Sequence, residues 1–248
     1  MSDVRIQADA GMLIVFDADL APQVGPSWFD PAHWHRNGQP SNRPTGGRVT
    51  AHFIETPAGA GVLRHYHRGG MVAPVLGDRY LWTGFERTRA AAEFRLLDRL
   101  YSMGLPVPRP VAACCVRHGL GYTADLITLR IAPAQTLAER TTSGTLDAGL
   151  AGRVGALVAR FHNHGVWHAD LNAHNILIGP QSLYLIDFDR GRLRSPAHAW
   201  QQANLARLER SLVKLGAARD GKAAFEYAVW TPLMRAYASA LERQTGSP

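Results

Sequence analysis

The sequence predicts an α+β protein with two lobes, a small β-rich N-terminal lobe containing one helix and a larger α-helical C-terminal lobe. Up to residue 131, short apolar runs separated by turns flank a single helical segment. Beyond residue 132, apolar side chains recur at three- and four-residue steps, which is the spacing of amphipathic helices. A length of 248 residues, of which 46% are hydrophobic, is enough for two small lobes of this kind.

The predicted elements divide the chain into three parts. Residues 1–44 hold several prolines among aromatic side chains, so we expect a loop-rich segment that packs on the first lobe. Residues 45–131 form the predicted β-rich lobe, in the order hairpin (48–66), helix (87–103) and two strands (107–115 and 122–131). Residues 132–248 form the predicted helical lobe, with helical segments near 138–140, 150–164, 200–215 and 223–241.

The charge balance favours an anionic partner. Lys and Arg number 27 against 20 Asp and Glu, which gives a formal charge of +7. Only Lys214 and Lys222 are lysines, so most of the positive charge is carried by guanidinium groups, which bind phosphate in a bidentate fork. Phosphates, nucleic acid and acidic membrane surfaces are the partner classes that such a charge admits.

Two further features concern the compartment of the protein. Cys114 and Cys115 are adjacent, and neighbouring side chains of an extended segment point to opposite faces, so we expect no bridge between them and a reducing compartment. The longest early apolar run, residues 11–16, is too short for the core of a signal peptide and for a bilayer span. We therefore expect a soluble or peripheral protein without a signal peptide or a transmembrane segment.

The residues that carry chemistry lie between Trp167 and Asp189. Phosphoryl transfer to a hydroxyl needs a carboxylate that orients the acceptor O–H, and oxygen ligands that hold Mg²⁺ against the phosphates. The order His-x-Asp, four residues, Asn, and later Asp-Phe supplies these groups, with Asp170 as the predicted base and Asn175 and Asp187 as the predicted Mg²⁺ ligands. The intervening apolar runs predict a tight hairpin that places Asn175 and Asp187 at one edge.

This order of residues resembles the signatures of the protein-kinase-like fold, His-Arg-Asp-x₄-Asn and Asp-Phe-Gly. Ala169 stands in place of the Arg and Asp189 in place of the Gly, which points to a kinase of small molecules or glycolipids and not of proteins. Four segments narrow the resemblance to the lipopolysaccharide core kinases, over about residues 28–215. These segments are Leu63-Arg64-His65-Tyr66-His67-Arg68-Gly69-Gly70, residues 162–177, Asp187-Phe188-Asp189-Arg190-Gly191 and residues 204–212.

The resemblance implies an enzyme that uses ATP and Mg²⁺ to phosphorylate the 4-hydroxyl of 3-deoxy-D-manno-octulosonic acid (Kdo). Its implied acceptor is Kdo-lipid A precursor (lipid IVA), in lipopolysaccharide core biosynthesis at the cytoplasmic face of the inner membrane. Such an acceptor also implies peripheral contact with an anionic membrane surface, for which arginines and the aromatic side chains of Trp28, Trp34 and Trp82 are candidates. Packing in the core is the alternative for each tryptophan.

A kinase-like ATP site also needs a cation on the third strand, paired with a helix carboxylate. No lysine precedes residue 214, so the candidate is Arg64, which alternates with apolar neighbours; an exposed arginine on an edge strand is the alternative. Glu93 is its preferred partner, and the rival Glu86 stands at the start of the helix, where a carboxylate suits the helix dipole. Gly46 and Gly47 are the candidates for the loop that covers the ATP phosphates, with an ordinary turn as the alternative. The adenine-contacting residues are expected around residues 128–132.

Other basic residues, and His168, could have either a functional or a merely structural role. Arg190, Arg192 and Arg194 follow the predicted metal ligand and are candidates for binding the anionic acceptor, with a solvated basic loop as the alternative. Arg207 and Arg210 share a helix face, where charged side chains are usually only solvated. For His168 we expect a structural role, bracing the catalytic loop, and no proton transfer.

Two other functions are compatible with parts of this pattern. The first is a kinase of soluble aminoglycoside-like or choline-like acceptors; these are cationic, and the net charge and the Arg190–Arg194 cluster disfavour them. The second is a basic nucleic-acid-binding protein. Because Asp170, Asn175 and Asp187 are all present, we expect no nucleic-acid partner.

Overall fold

A computed structural model describes residues 2–9, 11–36, 42–43, 49–66 and 80–245 and divides the chain into two compact units. The first unit comprises Met1–Met103 with Pro108–Arg130, and the second comprises Gly104–Val107 with Ile131–Pro248. In the parts of the chain that the structure describes, the first unit is a β-sheet with one long helix, and the second is mainly helical. The α+β class and the order of its two parts agree with the sequence prediction.

The first unit is built on one antiparallel sheet with the strand order β1-β2-β7-β8-β5-β4-β3, in which β6 also pairs with β8. Among its described residues, two helices accompany the sheet, α1 (Pro31–Arg36) and α2 (Arg89–Ser102). The strands are β1 (Val4–Asp9), β2 (Met12–Asp17), β3 (Asn42–Arg43), β4 (Val49–Thr56), β5 (Gly59–Tyr66), β6 (Tyr80–Leu81), β7 (Pro110–His118) and β8 (Gly121–Leu129).

The predicted hairpin and helix of the first unit are both present. Strands β4 and β5 pair with Thr56 opposite Gly59, so a two-residue turn connects them. Helix α2 packs against β7 and β8 and buries Phe94, Leu97 and Leu100, which recur at three-residue steps. Strand β5 lies between β8 and β4 and is therefore not an edge strand.

The N-terminal segment differs from the expected loop-rich part. Strands β1 and β2 occupy residues 4–17, and β2 is paired on both sides, by β1 and by β7. Ile14 and Val15 point to opposite faces of the sheet and are both fully buried, so β2 is covered on both faces, which explains the continuous apolar run that precedes Asp17. Trp28 and Trp34 are buried as well, and the indole N–H of Trp34 donates to the carbonyl of Trp28 at 2.7 Å. These two tryptophans belong to the core and are not membrane-docking residues.

The second unit contains five α-helices in the described residues, two of them joined through a π-helical segment at Glu226–Trp230. They are α3 (Leu137–Thr142), α4 (Ala148–Asn163), α5 (His198–Lys214), α6 (Lys222–Phe225) and α7 (Thr231–Thr245). Up to residue 245, where the described part ends, this unit also has five short strands, which form a β12-β11-β9 sheet and a β10-β13 pair. They are β9 (Gln135–Thr136), β10 (Val166–Trp167), β11 (Ile176–Ile178), β12 (Leu183–Leu185) and β13 (Arg192–Leu193).

Helices α4 and α7 pack closely at one glycine. A Cβ atom added to Gly155 would lie 2.0 Å from the carbonyl oxygen of Leu233, far inside van der Waals contact. One turn earlier, a Cβ atom on Gly152 would lie 3.7 Å from the Cβ of Ala236, which is an ordinary contact. A methyl group would therefore clash with α7 at Gly155 and be accommodated at Gly152, on the same helix.

We expect Gly155→Ala to lower the free energy of unfolding by about 1–3 kcal/mol, because the helix backbones must separate to admit the methyl group. Gly152→Ala is the matched control, and we expect it to raise the free energy of unfolding by up to about 1 kcal/mol through the higher helix propensity of alanine. Urea denaturation of both variants measures the difference. Equal effects of the two substitutions would contradict the close approach of α4 and α7.

Candidate active site

The loop between β10 and β11 carries the predicted catalytic residue and is folded by its own side chains. The Oδ1 atom of Asn172 accepts hydrogen bonds from the backbone N–H groups of His174, at 2.8 Å, and Asn175, at 3.2 Å. Asn172 thereby caps the single 3-10 turn Ala173–Asn175 that leads into β11. This cap fixes the conformation of the backbone that leads to Asn175.

His168 is a buried brace of this loop. Its Nδ1 accepts a hydrogen bond from the backbone N–H of Asp170 at 3.2 Å, so Nε2 carries the proton and donates to the carbonyl of Ile186 at 3.0 Å. Burial lowers the pKa of the imidazole below its usual value of 6.5, which keeps the ring neutral. This geometry supports the structural interpretation of His168, because Nδ1 is used within the loop and Nε2 joins the loop to the segment after β12.

The carboxylate of Asp170 is held at both oxygens and remains exposed. The side-chain amide of Asn172 donates to Oδ2 at 3.0 Å, and Nη1 of Arg207 donates to Oδ1 at 3.4 Å. The Asp170 side chain is nevertheless 63% exposed. A carboxylate that is oriented but accessible can accept a hydrogen bond from an incoming hydroxyl.

The predicted metal ligands meet at one end of a hairpin, as the sequence pattern indicates. Strands β11 and β12 are antiparallel, and the N–H of Ile186 donates to the carbonyl of Asn175 at 2.9 Å, so Asn175 and Asp187 are at the same end. The Nδ2 of Asn175 donates to the carbonyl of Asp170 at 2.9 Å, which fixes its amide plane and directs its oxygen away from that bond. Asp187 has a positive φ of 63°, in the left-handed region that Asp tolerates better than most residues.

An amide oxygen and a carboxylate are hard oxygen donors, which is the ligand chemistry that Mg²⁺ takes in phosphate-binding sites. Asn175 and Asp187 therefore fit the ion that the sequence pattern predicts. The residue that follows, Phe188, is fully buried and contacts His168 edge to face, with ring centroids 5.0 Å apart. This packing anchors the backbone on which Asp187 stands.

Helix α5 is attached to the loop by polar side chains of one face. Asn204 donates to the carbonyl of His168 at 2.9 Å and accepts from its N–H at 3.3 Å, and Ser211 accepts from the N–H of Ala173 at 3.1 Å. Arg207 lies between them on the same face and reaches Asp170. From the sequence, Arg207 was expected to be a solvated charge; the polar spacing of residues 204, 207 and 211 is the signal that indicates otherwise.

In the first unit, Arg64 on β5 forms an ion pair with Glu93 on α2. Its Nη2 lies 2.7 Å from Oε1 of Glu93, and both side chains are largely buried. The hydroxyl of Tyr66 donates to the other carboxylate oxygen of Glu93, and burial is the main cause that raises the pKa of this tyrosine well above its usual value. Glu86, the rival partner, pairs with Arg95 at the surface.

The remaining predicted residues have different outcomes. Gly46 and Gly47 lie outside the described residues. Arg190 and Arg192 are exposed, and the guanidinium of Arg194 stacks on the ring of Trp167, 4.1 Å from its centroid. Arg194 therefore has an aromatic partner within its own unit.

Comparison with known proteins gives concordant results. A model of the lipopolysaccharide kinase (Kdo/WaaP) family matches residues 32–237. The chain is 49% identical over 216 residues to a 3-deoxy-D-manno-octulosonic acid kinase of Xanthomonas oryzae pv. oryzae (strain PXO99A), covering 84% of this chain and 83% of that one. It is 45% identical over 231 residues to the protein of the same name from Xylella fastidiosa (strain M12), covering 93% of this chain and 91% of that one.

A solved structure has the same fold. The structure of WaaP in complex with acyl carrier protein superimposes with a TM-score of 0.58 at 17% sequence identity, covering 97% of this chain and 91% of that one. Identity at this level speaks for the fold alone, whereas the family match and the curated relatives cover most of the sequence. The chain belongs to the lipopolysaccharide kinase (Kdo/WaaP) family.

Proposed function

We propose that this protein is an ATP-dependent kinase that phosphorylates the 4-hydroxyl of Kdo in Kdo-lipid A precursor. The observation that carries the proposal is the accessible carboxylate of Asp170, oriented by Asn172 in a loop whose backbone is hydrogen-bonded to Asn175. The relatives named Kdo kinases, at 45–49% identity over most of the chain, support the choice of acceptor.

In this reaction Asp170 acts as the base. Its carboxylate accepts the proton of the 4-hydroxyl while the hydroxyl oxygen attacks the γ-phosphorus of ATP. A bond between this oxygen and phosphorus forms, the bond from phosphorus to the β,γ-bridging oxygen breaks, and ADP leaves. Asn172 orients the carboxylate, and His168 holds the backbone of Asp170 in place, so catalysis depends on positioning.

The charge of the ATP phosphates requires cations. We propose that Asn175 and Asp187 hold Mg²⁺, which when bound neutralises charge on the β- and γ-phosphates. Arg64, fixed by Glu93, takes the place of the lysine that kinase-like folds usually have and offers a planar fork in place of a point charge. The role of Gly46 and Gly47 in covering the phosphates stays a prediction.

The test is transfer of labelled phosphate from ATP, with Mg²⁺, to two acceptors in parallel: detergent-dispersed Kdo-lipid A precursor and an aminoglycoside. We expect label on the Kdo lipid alone. Label on the aminoglycoside, or on neither acceptor, would contradict the proposed function. The proximity of Arg207 to Asp170 disfavours a cationic acceptor, because two positive groups would then share the site.

We also propose peripheral contact with the anionic cytoplasmic surface of the inner membrane. No helix in the described parts of the chain is both long and apolar enough to span a bilayer. Leu81 and Leu120 are 70% and 81% exposed, and the N–H of Trp82 donates to the carbonyl of Leu120 at 2.9 Å, which brings the three residues together. Arg117 stacks on Trp82, 5.3 Å from the ring centroid. This Leu81–Leu120 patch combines apolar side chains with a cation, which suits an interface of anionic lipids.

Replacing both leucines by serine is expected to weaken binding to vesicles that contain anionic phospholipid by at least tenfold, since burying one leucine contributes about 1.5–3 kcal/mol. Co-sedimentation with vesicles measures the effect, and transfer to the detergent-dispersed acceptor should be unchanged. Tyr227→Ser, at another exposed apolar side chain, is the control. Unchanged sedimentation of the Leu81→Ser, Leu120→Ser variant would exclude this patch as the contact.

A further inference from the structure

Arg207 occupies a defined place beside the proposed base. Helix α5 is fixed to the catalytic loop through Asn204, three residues before Arg207, and through Ser211, four residues after it. These spacings place the three side chains on one helix face, so the anchored helix delivers the guanidinium to Asp170. The position of Arg207 therefore follows from two hydrogen-bonded contacts that flank it along the helix.

The contact between Arg207 and Asp170 is weak enough to be exchanged. Only Nη1 contacts the carboxylate, at 3.4 Å, and the two side chains are 47% and 63% exposed. Exposed ion pairs of this kind contribute little to stability. Within the described part of the chain, Asp170 is the sole carboxylate that Arg207 contacts, whereas a guanidinium has five N–H donors and can bind a second carboxylate through its fork.

The face of α5 that carries Arg207 continues with basic side chains. Arg210 and Lys214 follow it by three and seven residues, and both are exposed on the same side of α5. Glu209 lies two residues after Arg207 and therefore projects from the other side of the helix. An anion that approaches Asp170 along α5 thus meets positive side chains.

The proposed acceptor has an anion at a matching position. Kdo is an acid, and only three carbons, C2, C3 and C4, separate its C1 carboxylate from the oxygen of the 4-hydroxyl. When the 4-hydroxyl lies at Asp170, the carboxylate of the same sugar must therefore lie no farther from Asp170 than about the width of one sugar ring. We propose that Arg207 binds the carboxylate of the acceptor Kdo and so selects an acidic sugar for phosphorylation; this inference rests on the proposed function.

Arg207→Ala tests this role when two acceptors are compared, Kdo-lipid A precursor and the same lipid with the Kdo carboxylate converted to its methyl ester. The unsubstituted protein should have a KM for the ester roughly tenfold or more above that for the acid, because hydrogen bonds to charged groups are the stronger ones. In Arg207→Ala the KM for the acid should rise to that for the ester, with the KM for ATP unchanged. Arg207→Lys keeps the charge and loses the planar fork, so its KM for the acid should lie between those of the unsubstituted protein and of Arg207→Ala.

Equilibrium binding separates the failure of this inference from that of the kinase proposal. Titration with soluble Kdo and with its methyl ester should show preference for the acid in the unsubstituted protein and none in Arg207→Ala, whether or not phosphate is transferred. Arg153→Ala, at an exposed arginine of α4, is the matched control. A lower kcat with unchanged acceptor KM would assign Arg207 to positioning Asp170, and a raised KM for ATP would assign it to the nucleotide; either result overturns the proposal.

Discussion

Asp170→Asn is expected to lower kcat for phosphate transfer to the Kdo acceptor by about 10²–10⁴-fold, the range that a positioned general base contributes. The amide keeps the shape of the side chain but accepts no proton. Because the Asp170 side chain is exposed and its contacts are to Asn172 and Arg207, the thermal denaturation midpoint and the affinity for ATP should change little. Single-turnover transfer of labelled phosphate, together with a nucleotide-binding titration, measures both quantities.

Asp220→Asn is the matched control for this variant, since Asp220 is an exposed carboxylate whose ion pair is with the adjacent Arg219. It should transfer phosphate at the rate of the unsubstituted protein. If Asp170→Asn retained more than about one tenth of that rate, the carboxylate would not be the base, because general-base catalysis contributes at least about a hundredfold.

Glu93→Ala is expected to have the largest effect on stability, a loss of about 3–5 kcal/mol in the free energy of unfolding. The substitution removes the carboxylate that accepts from both Arg64 and Tyr66 and leaves these polar groups in a buried environment. Because Arg64 then loses its fixed orientation, the KM for ATP should rise as well. Urea denaturation followed by tryptophan fluorescence measures the stability, and initial rates at varied ATP measure the KM.

Glu86→Ala provides the comparison, because the Glu86–Arg95 pair is at the surface, and its loss should cost at most about 1 kcal/mol. A stability loss in Glu93→Ala no greater than that in Glu86→Ala would show that the buried pair does not hold the sheet and helix α2 together. A large stability loss with an unchanged KM for ATP would support the structural role of the Arg64–Glu93 pair and contradict the proposed role of Arg64 in binding the nucleotide.

The geometry of the candidate catalytic segment was predictable because its residues are close together in the sequence. Asp170, Asn175 and Asp187 lie within a stretch of eighteen residues. The hairpin that brings Asn175 and Asp187 to one end is formed by two apolar strands that follow each other directly along the chain. The Arg64–Glu93 pair was predictable from the absence of an earlier lysine and from the alternation around Arg64. In both cases the residue type required by the chemistry left few candidates.

Features that depend on contacts between distant parts of the chain were not predicted from the sequence. Strand β2 pairs with β7, which begins at Pro110, so nothing near β2 in the sequence indicates its partner. Asp170 and Arg207 are likewise separated along the chain, and the helix periodicity places Arg207 on a face without saying what that face contacts. For Trp28 and Trp34 both membrane contact and packing in the core were left open, because aromatic residues in a proline-rich segment fit either position.

The pairing of β2 with β7 has a practical consequence for fragments of this protein. The family match begins at residue 32, after both N-terminal strands. A fragment trimmed to the matched residues would leave the backbone N–H and C=O groups of β7 without their partners on that side and turn a central strand into an edge. Unprotected edge strands of this kind pair with other chains. We therefore expect a fragment that begins at residue 32 to self-associate.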